Sequence, residues 1–179
     1  MLVIVGASAS GKTEIANILV SQFSYTKSVT TTTRQKRVHE IDDIHYHFVS
    51  KHQFDRLKKQ DAFIETTLYQ EHNYGLQKNE IASNRIIILD PKGCNVLHQM
   101  YPQTTCVMYI QSNKEMRQTR MLSRGDHQLL ISKRLEEDEE IFRVSNLDKI
   151  HLIIDNHHQT IQSIAEEIHH FYQSFLKGE

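Results

Sequence analysis

Apolar positions in this chain recur at two periods. Val3-Ile4-Val5, Ile86-Ile87-Ile88-Leu89, Thr105-Cys106-Val107-Met108-Tyr109-Ile110 and Leu152-Ile153-Ile154 are short unbroken runs with the length and branching of strands buried on both faces. A stretch of helical period follows each, so the pattern predicts βα units on a parallel sheet. The first helix, Thr13 to Phe23, carries Ile15, Ile18 and Leu19 on one side. The last, from about Gln159 to Leu176, sets Ile161, Ile164, Ala165, Ile168, Phe171, Tyr172 and Phe175 on a broad stripe that reads as core-facing. Between about Thr30 and Asn79 the pattern changes. His45-Tyr46-His47-Phe48-Val49 and Phe63-Ile64-Glu65-Thr66-Thr67 are short and alternating, with one helix between them opened by Ser50 and Gln53 as a capping box. This predicts a small α+β insert on the parallel core. A second irregular piece, rich in arginine, runs from Arg117 to Arg134.

Composition narrows the picture without changing it. The 179 residues suit one domain, and 39% hydrophobic with 24% charged content is globular. With 21 basic against 22 acidic residues there is no overall field for nucleic acid or an anionic membrane, so an anion site must be a local cluster. Cys94 and Cys106 are too few for a disulfide framework and read as buried thiols. No apolar run reaches membrane-spanning length. A cleaved leader would destroy the motif that begins at Gly6, so a cytoplasmic location is expected.

That motif carries the first chemistry. Gly6-Ala7-Ser8-Ala9-Ser10-Gly11-Lys12-Thr13 fits G-x-x-x-x-G-K-[ST] and lies between a strand and a helix, where the pattern has physical meaning. Backbone N–H groups can wrap an oligophosphate there, and the helix N-terminus adds partial positive charge. Lys12 is expected to reach the β- and γ-phosphates of ATP, and the Thr13 hydroxyl to ligate Mg²⁺. Two further cation clusters suit phosphate through their forked guanidiniums: Arg34 with Arg37, and Arg120, Arg124 and Arg134.

The residues around these clusters carry a resemblance over essentially the whole chain. Thr30-Thr31-Thr32-Thr33-Arg34-Gln35-Lys36-Arg37-Val38-His39-Glu40, followed by Tyr46-His47-Phe48-Val49, resembles S/T-x-T-T-R-x-x-R-x-x-E…Y-x-F-V of the guanylate kinases. Phe63-Ile64-Glu65 with Asn73-Tyr74-Gly75, Leu89-Asp90-Pro91-Lys92-Gly93, and Arg120-Met121-Leu122-Ser123-Arg124-Gly125 with Ile131-Ser132-Lys133-Arg134-Leu135 resemble further motifs of that family in the expected order. The resemblance implies an α/β fold: a parallel-sheet P-loop core (1–29, 80–116 and 135–179), a monophosphate-binding insert (30–79) and a helical lid (117–134). It implies MgATP as donor and GMP as acceptor. Arg34, Arg37, Tyr46 and Tyr74 would hold the acceptor phosphate, and Thr30, Glu65 and Asp90 its base. Lys12, Arg34, Arg124 and Arg134 would serve catalysis, and Arg120 would close over ATP.

Guanine presents donors at N1 and N2, and a buried carboxylate such as Glu65 can accept from both. Adenine lacks that pair. Several positions depart from the family pattern. Leu76 stands where a serine or threonine usually donates to guanine O6. Ile88 replaces the first aspartate of a D-x-D pair, Asp155 an asparagine after the last strand, and Ala9 and Ser10 a glycine and an apolar residue. Base-specific contacts are thinned while the cations remain, which leaves open a P-loop kinase with another phosphorylated acceptor, or a non-catalytic binding module. The twelve histidines, including the pairs His157-His158 and His169-His170, lack metal-ligand spacing. The acidic run Glu136-Glu137-Asp138-Glu139-Glu140 reads as the wet side of a helix, and Met116 and Met121 as packing residues.

Overall fold

The computed structural model describes residues 1–38, 40–82, 84–157 and 159–178. His39 of the arginine motif and His158 of one histidine pair lie outside them. In chain order the elements are β1 (Leu2–Val5), α1 (Lys12–Phe23), β2 (Thr26–Lys27), β3 (Thr31–Thr32), β4 (His47–Phe48), α2 (Lys51–Lys59), β5 (Phe63–Tyr69), β6 (His72–Gln77), β7 (Arg85–Leu89), α3 (Pro91–Met100), β8 (Cys106–Gln111), α4 (Lys114–Ser123), α5 (Gln128–Ile141), β9 (Leu152–Asp155) and α6 (Ile161–Lys177).

A five-stranded parallel sheet in the order β2-β7-β1-β8-β9 forms the centre, with Val3 level with Ile87 on one side and Val107 on the other. Alternate residues serve its two faces. Leu2, Ile4, Ile86 and Met108 pack with Ile15 and Leu19 of α1 and Ile164, Ile168 and Tyr172 of α6. Val3, Val5, Ile87, Leu89 and Val107 pack with Cys94 and Leu97 of α3 and with Phe142. Double-sided burial is why these strands read as unbroken apolar runs. Both cysteines are free and buried, and burial pushes each thiol up to about 12. No described helix is long and apolar enough to cross a membrane.

A second sheet, β4-β3-β6-β5, is built from residues 31–77. The expected strand at 45–49 is only His47–Phe48, whereas that at 63–67 runs on to Tyr69 and forms a hairpin with β6. The Ser50–Gln53 capping box opens α2 as expected. The chain leaves and re-enters the central sheet at adjoining points. Ser28 Oγ donates to the Glu80 carbonyl at 2.7 Å, and the Val29 N–H to the buried Glu80 carboxylate at 2.9 Å.

The stretch from Arg117 to Arg134, irregular in the sequence pattern, is mostly helical. It covers much of α4 and the start of α5, with a break at Arg124–His127. Met121, Ile131 and Leu135 form a small core of their own, closed by Ala9 of the phosphate loop.

Candidate active site

The carboxyl ends of parallel strands are where open α/β sheets bind ligands. β1 ends at Val5 and runs into the Gly6–Thr13 loop, and β7 ends at Leu89, just before Asp90. Gly11 has φ 98°, a left-handed conformation that side-chain-bearing residues resist. Ala9 adopts φ 60° at the cost of about 1 kcal/mol, with its methyl group set in the small lid core. The Lys12 ammonium folds back on its own loop, donating to the carbonyls of Gly6 (2.6 Å) and Ala7 (2.7 Å). Burial lowers its pKa to about 8, against the opposing influence of Asp138.

Lys12, Thr13, Thr30, Arg34, Arg37, Tyr46, Glu65, Tyr74, Asp90, Arg124 and Arg134 line one cleft together with Ser8 and Ala9. Gly6, Ala7, Ser10, Gly11 and Arg120 do not border it. Arg120 donates to the Ala9 carbonyl of the phosphate loop at 3.1 Å.

Each cation pair is kept in place by one acid. Glu40 takes both arms of Arg34 (2.7 and 2.9 Å) and the Arg37 N–H (2.8 Å), with the Arg37 guanidinium 3.6 Å away. Burial works against its charge, yet these donors hold the Glu40 carboxyl below its ordinary range. The Arg34 guanidinium also lies over the rings of Tyr46 and Phe48, at 5.3 and 5.6 Å. Asp126, in the break between α4 and α5, pairs with Arg124 (2.9 Å through Nε) and Arg134 (3.2 Å).

Glu65 is the anionic counterpart. It is buried on β5, and its Oε2 has no hydrogen-bond partner. Burial, and then the nearby Asp90, push its carboxyl up to about 8. The D-x-x-G motif explains this placement. Asp90 caps α3 by accepting the Gly93 N–H at 2.8 Å, and a Cβ on Gly93 would press on the Glu65 carboxyl carbon at 3.0 Å.

The family model for guanylate kinase matches residues 1–175. The chain belongs to the guanylate kinase family. It is 30% identical to the guanylate kinase of Helicobacter pylori over 188 aligned positions, covering 98% of this chain and 90% of that one. Against the guanylate kinase of Mycoplasma genitalium it is 29% identical, over 87% of this chain and 68% of that one. The crystal structure of guanylate kinase from Anaplasma phagocytophilum superposes with a TM-score of 0.76 at 22% identity, over 97% of this chain and 84% of that one.

Three readings of this guanylate kinase-family sequence need correction. Leu76 is fully buried among Val3, Val5 and Leu89, and its side chain is not on the cleft. Leu76→Ser is therefore expected to destabilise the fold by about 3 kcal/mol in urea unfolding, with no gain in GMP turnover. A rise in GMP efficiency at unchanged stability would contradict this placement. Asp155 is exposed, while its neighbour Asn156 is buried and donates to the Ser10 carbonyl at 2.7 Å, so an asparagine does support the loop, one position on. Asp138 does not belong to the wet side of α5. It is 1% exposed and accepts the Ser8 N–H at 2.7 Å, whereas Glu136, Glu139 and Glu140 do face solvent. Its only sequence signal is its spacing, three residues after Leu135 and four before Phe142, both buried. Among the described residues no group of three or more His, Cys, Asp or Glu could hold a metal.

Proposed function

We propose that this guanylate kinase-family chain transfers the γ-phosphoryl group of ATP to GMP, giving ADP and GDP. The observation that carries the reading is the unpartnered Glu65 oxygen in a cleft it shares with the Lys12 loop and two arginine pairs. A buried acceptor without a donor is costly, and the N1 and N2 donors of guanine relieve that cost where adenine does not. Phosphoryl transfer asks the protein for position and charge neutralisation, and the acceptor phosphate is already anionic, so no general base is required.

In this reading Arg34, Arg37, Tyr46 and Tyr74 hold the GMP phosphate, and Thr30, Glu65 and Asp90 address the base. Lys12 leaves its loop carbonyls for the β- and γ-oxygens of ATP. Arg124 and Arg134 exchange Asp126 for the transferring group as the lid, residues 117–134, closes against the insert, residues 30–79, and excludes water. Arg120, held on the Ala9 carbonyl beside the phosphate loop, closes over ATP. Thr13, exposed at the start of α1 and bordering the cleft, fits a hydroxyl ligand to Mg²⁺, which usually keeps several waters and relies on substrate phosphates. When bound, the ion neutralises charge on the β- and γ-oxygens.

The test is ADP release with MgATP against GMP, dGMP, AMP, CMP, UMP and ribose phosphates. GMP-dependent turnover far above the others is expected. Turnover with a different acceptor would keep the phosphate loop and overturn the role of Glu65.

A further inference from the structure

The phosphate loop, the insert and the lid meet at one buried carboxylate, Asp138. Its Oδ2 accepts from the Ser8 N–H at 2.7 Å and from Arg117 Nη1 at 3.2 Å, and its Oδ1 accepts from the Tyr69 hydroxyl. Tyr69 has one proton, and it goes to Asp138. The Ser8 hydroxyl at 2.8 Å and the Gln70 amide at 3.2 Å must therefore both donate to the Tyr69 oxygen. Gln70 in turn accepts from Arg134 Nε at 2.8 Å. One hydrogen-bonded path thus runs from the loop through α5 to the end of β5, and back to a lid arginine.

This arrangement is a poor way to gain stability. Arg117 is 4% exposed, its Nε has no partner, and a buried ion pair seldom outweighs the desolvation of its two charges. It is well suited to fixing geometry. Glu65 and Tyr69 lie four residues apart on β5, a strand in which alternate residues share a face, so both border the same cleft. Ser8, which borders the cleft in the phosphate loop, gives its N–H to Asp138.

We propose that Asp138 is a positioning residue that joins the phosphate loop, β5 and α5 into one unit, through which ATP-site occupancy tightens the grip on GMP. The proposal rests on the GMP kinase reading above. Ser8 and Tyr69 share one carboxylate, so a shift at either site is felt at the other, and the coupling must be equal in both directions.

The experiment measures GMP affinity by calorimetry with and without the Mg²⁺ complex of the β,γ-imido analogue of ATP. Replacing Asp138 outright strands a buried arginine and risks the fold. Tyr69→Phe removes only the linking hydroxyl and keeps the ring against Phe142 and Tyr74. The analogue should tighten GMP binding to the wild-type protein by about tenfold, a typical coupling. In Tyr69→Phe the factor should fall below about threefold while each ligand alone binds within about twofold of wild type. An equal coupling factor in the two proteins would overturn the proposal, as would wild-type GMP binding that ignores the analogue. Absence of any GMP binding to the wild-type protein would overturn the GMP reading as well.

Discussion

Lys12→Ala is expected to lower ATP-dependent turnover by about 10³-fold or more while the fold survives. The two sides of this prediction have separate causes. The ammonium hydrogen-bonds to groups of its own loop, with Ser10 Oγ a distant 3.4 Å third, and its one contact beyond the loop is the Phe142 ring, 5.9 Å away at the centroid. Its removal therefore costs little packing. Among the described residues it is the one lysine lining the cleft, and in the proposed transfer alanine offers the β- and γ-oxygens no charge in its stead. A thermal melt within a few degrees of wild type, beside a collapsed turnover in the ADP-release assay, is the expected pair of results. Turnover within tenfold of wild type would remove the phosphate site. The lowered Lys12 pKa, near 8, adds a second readout. Above that pH the free lysine is largely neutral, and ATP phosphates restore its charge. ATP binding at pH 8.5 should therefore take up protons in wild type and fail to do so in Lys12→Ala.

Glu65→Gln is expected to cut kcat/KM for GMP by about 10³-fold and to bring AMP close to GMP. The amide keeps one acceptor and turns an NH₂ donor toward the N1 and N2 donors of guanine, so the discrimination is lost along with the affinity. The direction of its pH dependence follows from the raised pKa of Glu65. In the free protein it is protonated below about 8, and binding to two guanine donors favours the carboxylate. GMP binding at pH 7 should release close to one proton, measured by calorimetry in buffers of different ionisation heat. Likewise kcat/KM for GMP should climb from pH 6 to 8 and then level, a limb absent in Glu65→Gln. Binding at pH 7 with no proton release would show that the carboxyl does not meet the base. The same group affects stability. Between about 4.5 and 8 the folded state keeps a proton that the unfolded chain has lost, so this contribution is present in full below 4.5 and declines as pH rises through 8.

Much of this was legible in the sequence, for physical reasons that differ along the chain. The parallel strands declared themselves because both faces are buried and the apolar run is unbroken. The cations declared themselves because phosphate loops and arginine forks need particular residues at particular spacings. The β5–β6 hairpin did not, since its turn puts Gln70 and Glu71 at φ 49° and 64°, where asparagine or glycine is the usual signal. Strands of two residues, β2, β3 and β4, carry too few positions for any period. Asp138 was hidden among acids that do face water, because one buried carboxylate in a charged run alters no pattern. The roles of Glu40 and Asp126, each keeping two guanidiniums in place, are partnerships across loops that spacing does not specify.

The adjoining exits at Ser28 and Glu80 have an evolutionary consequence. Two ends that leave the sheet side by side let the stretch between them vary without moving the strands on either side, provided that it keeps Leu76 in the central core and the Tyr69 hydroxyl on Asp138. Glu80 supplies the seam, taking the Val29 N–H and Arg85 Nη1, each at 2.9 Å, with one carboxylate oxygen. Change in residues 30–79 is then cheapest at positions that touch neither the phosphate loop nor the central core.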